Sequence, residues 1–438
     1  MVKMAKNHKV RYKFVDLFSG IGGFRVACEK LGGQCVAYSE IDSKAINVYK
    51  ENFNTKRELE LGDITKIKSY PNTDILLGGV PCQSWSIAGK MKGFEDPRGR
   101  LWLDTINFTK KVKPKGFVYE NVKGLADPRN KKNLDLIVSE FNKIGYNTYY
   151  SVLNAFDFGL PQSRERLFIV GIRKDIDTNS FTFPSKFDKL PFLSDILESS
   201  KNSNNNYVSN HSSCKNGFNM AAVVNKGNFY IFSDVRNGDY TIHSWDLIKT
   251  TKKEKAICLR ILKNRRKPKY GEKDGNPMSA RDIIDLFSNK TLLGSDDYEI
   301  TTRDINKLVN KNILRKVDNK YEFANSKISS GINGVYRIFL PESHIFSTLT
   351  KSGSRDYIAE TSVPSDIKDR NSYFINEIYK KNKYRQITVR EAARLQGFPD
   401  KFVFSTKYNV SLGLLGNAVA VNVVELIMKN LLSVVNQQ

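Results

Sequence analysis

Between Tyr12 and about Arg173 the chain alternates between two hydrophobic periods. Short apolar runs, "KFVDLF", "QCVAYSE", "DILLGG", "GFVYENV" and "RLFIVGIR", have the length and composition of buried strands. Between them, "GGFRVACEKLG", "SKAINVYKENF" and "LDLIVSEFNKIG" place apolar residues at i, i+3, i+4 and i+7, the spacing of one helix face. This alternation predicts an α/β fold, a sheet with helices on both faces.

The pattern changes near residue 185. "LESSKNSNNNYVSNHSSCKNG" is polar and Ser/Asn-rich and reads as a linker or surface loop. Beyond it, "NFYIFSDVRNGDYTIHSWDL" resembles a hairpin turned at Asn237-Gly238, and "TKKEKAICLRILKNRRKPKYGEKDG" is densely basic. "SARDIIDLFSNKTLL" and "TTRDINKLVNKNILRKVDNKYEFA" predict two helices and a short hairpin. A winged helix and an ordinary helical subdomain fit residues 280–323 equally well. The last section, "TVREAARLQGFPD" through "GLLGNAVAVNVVELIMKNLL", regains helical periodicity and suits a helix packed back on the first domain.

Charge adds a partner to this picture. Lys and Arg number 70 against 46 acidic residues in 438, a net charge of +24. A lysine-rich genome raises such a count, but an excess this large favours a polyanion bound by counterion release. The five cysteines form no CxxC pair and the four histidines are dispersed, so neither a disulfide framework nor a metal site is expected. Apolar runs short of the roughly 18 residues of a membrane span, and no signal-peptide core, predict a soluble intracellular protein.

Three segments carry candidate chemistry. "DLFSGIGGF" follows the first strand, and its Gly20, Gly22 and Gly23 fit GxGG and not the GxGxxG dinucleotide pattern. "YSEID" puts Glu40 about 20 residues later, where an acid receives a ribose diol, and Asp63 ends a third candidate strand. Together they predict a nucleoside pocket. "GGVPCQSWS" sets Cys82 after Pro81 at a strand end; a lone cysteine there is usually a buried apolar residue.

With "YENV" (119–122), "QSRER" (162–166), "REAARLQGFPD" (390–400) and "GNAV" (416–419) following in order, the chain resembles the DNA cytosine-5 methyltransferases of bacterial type II restriction-modification systems. The resemblance covers roughly residues 12–173 and 345–430. It implies a Rossmann-like S-adenosylmethionine-dependent methyltransferase domain over 1–189, a smaller variable target-recognition domain over 190–345, and a return segment over 346–438 that completes the first. Phe18, Gly20, Gly22, Gly23, Glu40, Ile41, Asp63, Ile64, Trp102 and Asn417 are the implied cofactor residues, with Leu101 beside Trp102. One departure is Val80-Pro81, where many relatives carry two prolines.

The implied catalytic residues are Cys82, Glu120, Arg164 and Arg166. Cytosine C5 is a poor nucleophile, so the ring must first become electron-rich; a thiolate adding at C6 makes C5 enamine-like. Glu120 would balance charge at N3 and Arg164 would hold O2. The target base must leave the duplex, with Gln83 and Ser86 on the loop that closes over it. Arg236, Arg260, Arg265, Arg266 and Thr348 are candidate DNA contacts, with His243 a further candidate for base edges, while Arg390 and Arg394 suit salt bridges as readily as DNA. The expected partners are double-stranded DNA and a separately encoded cognate endonuclease, for a monomer in the bacterial cytoplasm. An RNA methyltransferase of the same fold and a silent DNA-binding regulator are the competing readings; the long insertion after the arginine motif favours DNA, and Cys82, Glu120 and Arg164 argue against silence.

Overall fold

The computed structural model describes residues 10–81, 100–198, 229–273, 275–288, 298–326 and 331–436. They group into two compact units, one of residues 1–217, 344–354 and 387–438, the other of 218–343 and 355–386.

In the larger unit the strands β1 (Tyr12–Leu17), β2 (Gly33–Ser39), β3 (Leu59–Glu60), β4 (Ile75–Gly79), β5 (Gly116–Val122), β6 (Tyr146–Asn154) and β7 (Glu165–Arg173) form one sheet in the order β3-β2-β1-β4-β5-β7-β6. Neighbours are parallel except at β7, which runs antiparallel to β5 and β6. The five predicted strands are β1, β2, β4, β5 and β7. The sequence reading did not include β6, an edge strand of mixed exposure; the candidate strand read as ending at Asp63 is the two-residue β3, which stops at Glu60.

Helices α1 (Gly23–Lys30), α2 (Ser43–Asn52), α3 (Leu101–Val112) and α4 (Lys131–Lys143) connect these strands. In α4 the buried positions are Leu134, Ile137 and Phe141, the i, i+3, i+7 stripe read from the sequence. They join Trp102 and Ile106 of α3 against Leu76, Phe117 and Tyr119 of the sheet. Phe117, Tyr119 and Phe141 stack within 5.7 Å of one another, and Trp102 meets Tyr119 edge-on at 6.1 Å.

The smaller unit holds two sheets. β8 (Phe229–Phe232), β9 (Thr241–Ile242), β13 (Arg337–Phe339), β14 (Tyr357–Ala359) and β15 (Tyr384–Gln386) pair in the order β15-β14-β13-β8-β9. Two of these strands come from 355–386, which the sequence reading put in the return segment; β14 pairs with β13 and β15 with β14, and this backbone pairing holds them here. β8 and β9 are parallel, with Ile231 opposite Thr241, so the predicted hairpin is not formed. A turn does occur at Gly238, whose carbonyl accepts from Thr241 N–H at 3.0 Å. Asp234, just after β8, accepts from Ser244 N–H, just after β9, at 2.8 Å.

The second sheet joins β10 (Met278–Ser279), β11 (Leu314–Val317) and β12 (Lys320–Phe323) in the order β10-β12-β11. It packs with α5 (Lys252–Asn264), α6 (Ala280–Ser288) and α7 (Thr302–Asn310) around Trp245, Ile257, Ile261, Ile305, Leu308 and Phe323. The sequence of elements α5-β10-α6-α7-β11-β12, with the first strand pairing the last, is the winged-helix arrangement and settles the open choice for 280–323.

The chain re-enters the larger unit as α8 (Val389–Leu395), α9 (Tyr408–Asn417) and α10 (Val421–Val435). α10 packs on α1 and β5, covering the sheet face opposite α3 and α4. The stretch 408–435 has the length and hydropathy of a membrane span, but 72% of its most apolar window is buried. That apolarity is accounted for by the core it completes.

Gly416, near the end of α9, permits a close backbone approach: a Cβ there would lie 2.1 Å from the Thr350 carbonyl oxygen. Ala in place of a helical glycine ordinarily stabilises by roughly 0.5–1 kcal/mol. Here Gly416→Ala is expected to destabilise by about 1–3 kcal/mol, as overpacking does. A urea unfolding midpoint that rose in this variant would contradict the packing described.

Candidate functional site

A cavity of about 300 Å³ lies at the C-terminal ends of β1, β2, β4 and β5, next to the point where the strand order reverses between β1 and β4. Open α/β sheets bind ligands there because the loops diverge to either side.

The loop after β1 turns through Phe18, Gly20 and Gly22, all at positive φ. A side chain on Gly20 would meet nothing within 4 Å, so its backbone stands open; one on Gly22 would strike the Phe53 ring at 2.4 Å. Phe18, Gly20 and Gly23 line the cavity, while Gly22 serves the packing behind it. Glu40 ties two loops together: one carboxylate oxygen accepts from Gly20 N–H at 2.8 Å, the other from Ile41 and Asp42 N–H at 2.8 and 2.9 Å.

On the cavity's far wall Asp63 accepts from the Thr65 N–H and hydroxyl at 3.0 and 2.8 Å, and these bonds hold its carboxyl below the usual range. Ile64, Leu101 and Asn417 complete the lining. Trp102 is a correction: it is 0% exposed, packed on Tyr119 and Phe141, and absent from the lining. Helical geometry turns adjacent side chains about 100° apart, so only Leu101 faces the cavity. Ser19 and Ile21, unremarked in the sequence reading, also line it.

Glu120 enters the same cavity from β5. Its carboxylate lies 3.0 Å from Arg166 Nε, with side-chain exposures of 13% and 19%. Burial raises its proton affinity above that of an ordinary carboxyl, opposed by Arg166 and then Arg164. Beside it the end of β4 is clamped: Val80 N–H donates to the Glu120 carbonyl at 3.1 Å, and Asn121 Nδ2 donates to the Val80 carbonyl at 3.1 Å. Asn121, a residue of "YENV" to which the sequence reading gave no catalytic role, thus fixes the strand end leading through Pro81. Cys82, Gln83 and Ser86 lie outside the described residues.

Arg164 has a different office from the one expected. It is 2% exposed, and its guanidinium donates to the carbonyls of Leu349, Gly416 and Ala418 at 3.1, 3.1 and 2.7 Å. It borders the cavity while bracing the return segment.

Other expected DNA contacts also find partners within their own units. Arg265 is 4% exposed and lies over the Phe323 ring. Arg260 donates to the Leu286 carbonyl and stacks on Phe287 at 4.3 Å. Arg266 is exposed and donates to the Val235 carbonyl at 3.3 Å. His243 is buried, its ring nitrogens within 3.1 Å of Asp246 and the Arg236 carbonyl, whereas Arg236 is exposed. Buried groups are withdrawn from a duplex, so Arg265 and His243 have structural roles, whereas Arg260 is half-buried. Thr348 donates to the Ser163 carbonyl. Arg390 and Arg394 bind the carbonyls of Phe402 and Ile196, and Arg394 pairs with Asp400 at 2.7 Å.

A sheet of this order with a nucleoside-sized cavity at its switch point defines a Rossmann-like methyltransferase fold. The chain belongs to the C-5 cytosine-specific DNA methylase family, whose model matches residues 12–433. It is 44% identical over 423 residues to the type II methyltransferase M.HgiBI of Herpetosiphon aurantiacus, covering 94% of each chain. It is 34% identical to M.BanI of Aneurinibacillus aneurinilyticus, covering 96% of each. Among solved structures, the Entamoeba histolytica methyltransferase EhMeth shares the fold at a TM-score of 0.52 and 15% identity, over 96% of this chain and 98% of that one. The protein is therefore a DNA cytosine-5 methyltransferase of the bacterial type II class, and membership implies an S-adenosylmethionine-dependent reaction on double-stranded DNA.

The two arginines of "QSRER" are separable by experiment. Arg164→Ala should lower stability by about 3 kcal/mol or more, since three buried carbonyls lose a charged donor. Arg166→Ala should cost less than Arg164→Ala, because the buried Glu120 can take up a proton when its one cationic partner at 3.0 Å is lost, and should lower turnover. Equal stability losses in the two variants would contradict this division.

Proposed function

We propose that the protein transfers a methyl group from S-adenosylmethionine to C5 of a cytosine flipped from a specific duplex sequence, through a covalent bond between Cys82 and C6. The observation that carries this reading is the Glu120–Arg166 pair in the same cavity as the glycine loop, beside the Pro81 that directly precedes Cys82. The cavity suits the cofactor: Gly20 leaves open space, Ser19 Oγ is buried with no partner among the described residues, and Ile41 is an apolar side chain 75% exposed at its rim. Phe18, Glu40, Asp63, Ile64 and Asn417 would hold it, and it would supply an electrophilic methyl.

The chain's residues do the rest. The Cys82 thiolate bonds to C6 and the C5–C6 π electrons move to C5, which then takes the methyl. Glu120 keeps its proton toward N3, where burial favours the neutral acid, and so meets charge gathering on the ring. Arg166, beside Glu120 in the cavity, is the donor suited to O2; Arg164 has both terminal nitrogens on backbone carbonyls. Loss of the C5 proton to a base restores the double bond and expels Cys82. Gln83 and Ser86, on the same loop, would close over the flipped base, and Arg236 and Thr348 would contact DNA.

The type II naming of the relatives supports a role in protecting host DNA from a cognate endonuclease, with the enzyme acting as a monomer in the bacterial cytoplasm. Incubation with labelled S-adenosylmethionine and mixed-sequence duplex, then base-resolution mapping, should give 5-methylcytosine at one short recurring sequence. Cys82→Ala should abolish transfer while still binding cofactor, and label found only in RNA would overturn the reading.

The acid role of Glu120 has a signed pH dependence. A raised proton affinity means the neutral form persists above the usual carboxyl range and is lost as pH rises through the raised value. Turnover should fall along that limb, and Glu120→Gln should flatten it while lowering turnover by about 10²–10⁴-fold. Unchanged cofactor affinity in this variant separates chemistry from binding; an unaltered pH limb would sink the assignment.

A further inference from the structure

The winged-helix portion of the smaller unit has a face that the catalytic site does not use. In α7 the residues Asp304, Ile305 and Leu308 are buried, and Arg303, Asn306, Lys307 and Asn310 are exposed. Those four stand at i, i+3, i+4 and i+7, one stripe along the helix. All are side chains that hydrogen-bond base edges or phosphates, and the stripe contains no acid.

The hairpin β11–β12 extends beside this helix. Its two-residue turn, Asp318-Asn319, has both residues at positive φ, 49° and 61°, the conformation of a tight type I′ hairpin. Lys316 and Lys320 lie on either side of the turn and are exposed. Helix and hairpin are joined: Tyr321 of β12 donates its hydroxyl proton to Asn306 Oδ1 at 2.9 Å. That bond occupies the amide oxygen and leaves Asn306 Nδ2 as a donor, suited to an acceptor such as purine N7.

The helix is also braced from behind. Asp304 accepts from the Thr301 hydroxyl at 2.9 Å and from Lys253 of α5 at 2.7 Å, and Lys311 pairs with Glu254 of α5 at 2.7 Å. These bonds immobilise α7 against α5 before any partner arrives, a condition for reading base edges by direct contact. Over residues 301–324 there are six Lys and Arg against three Asp and Glu, of which Arg315 and Glu322 pair with each other and Asp318 is the exposed acid at the turn.

We propose that α7 is the sequence-reading helix of this enzyme, lying in the DNA major groove through Arg303, Asn306 and Asn310, with Lys316 and Lys320 of the hairpin on adjacent phosphates. The proposal rests on the protein's being a DNA methyltransferase and says which element of the smaller unit selects its site. It also moves the specificity contacts away from the basic run at 260–267, where Arg260 and Arg265 are held by packing.

The test uses the full-length enzyme and three preparations: parent, R303A/N306A and K316A/K320A. The parent's methylated sequence is mapped first; absence of methylation there would refute the enzymatic reading and leave the variants to be judged by duplex binding alone. R303A/N306A should raise the KM for cognate duplex by about 10-fold or more and relax the preference at one or two base positions. K316A/K320A should weaken cognate and unrelated duplex alike and reduce the slope of log affinity against log salt by about 2. A circular-dichroism spectrum and a urea unfolding profile matching the parent's certify that the smaller unit is folded in both, since the cofactor cavity lies in the other unit. Parent-like DNA affinity, salt slope and site preference in both folded variants would overturn the proposal and mark this face for a protein partner instead.

Discussion

The larger unit is built from pieces distant in sequence, and a single buried cation links them. Arg164, on the loop before β7, donates to carbonyls at residues 349, 416 and 418. Gln162 adds to the junction by donating to the Leu395 carbonyl at 2.9 Å and accepting from Leu349 N–H at 3.1 Å. A buried guanidinium is costly unless its donors are met, and backbone carbonyls meet them without demanding a particular side chain on the other segment. The return helices are thereby registered against the sheet, and Asn417 and Val419 arrive at the cavity wall as a consequence.

A second buried charge supports the opposite wall. Arg25 of α1 is 4% exposed and binds Glu58 through two bonds of 2.7 Å and Glu29 through one of 2.7 Å. Its Nη1 also reaches the Tyr49 hydroxyl at 3.2 Å, and that hydroxyl lies 3.5 Å from Asp16. Burial drives the proton affinity of Asp16 well up, with Arg25 pulling against it. The network therefore connects the last residues of β1, the first turn of α1 and the chain before β3. Since the cofactor loop spans the first two of these, its open backbone at Gly20 is presented by a rigid frame and not by a floating loop.

How much of this could be read in the residues depended on whether a signal was local. Strands such as Gly116–Val122 announce themselves because both faces are covered along the uninterrupted apolar run of their first four residues. β6 is half exposed along its length, and its Tyr and Thr content carried no clear alternation to mark it as an edge strand. At the site, Glu40 was read from its spacing after the glycines, whereas Glu120 came only with the resemblance carried by "YENV". The separation of Arg164 from Arg166 was not legible, because two arginines with one residue between them look alike until carbonyls 185 to 254 residues later come into view. Leu101 and Trp102 pose the same difficulty on a helix, where only the turn decides which side chain meets the cavity. The parallel pairing of β8 and β9 exceeded local reading for another reason: the turn at Gly238 is real, but the strand that follows it pairs parallel to β8, an outcome a turn alone does not fix.

The excess of positive charge looks different once partners are assigned. Arg25, Arg164, Arg265 and Arg394 each lie in contacts with carboxylates, carbonyls or rings, and Arg260 is stacked on Phe287. Arginine suits that work because its planar fork satisfies several acceptors at once and its charge persists when desolvated. Lysines such as Lys263, Lys267 and Lys273, by contrast, remain exposed on the smaller unit. A strongly hydrated ammonium on a flexible stem is a phosphate ligand with little geometric demand. The sequence-independent part of DNA affinity should then reside mainly in lysines, and an arginine left exposed on a braced helix, as Arg303 is, becomes informative because so many others are committed to the interior.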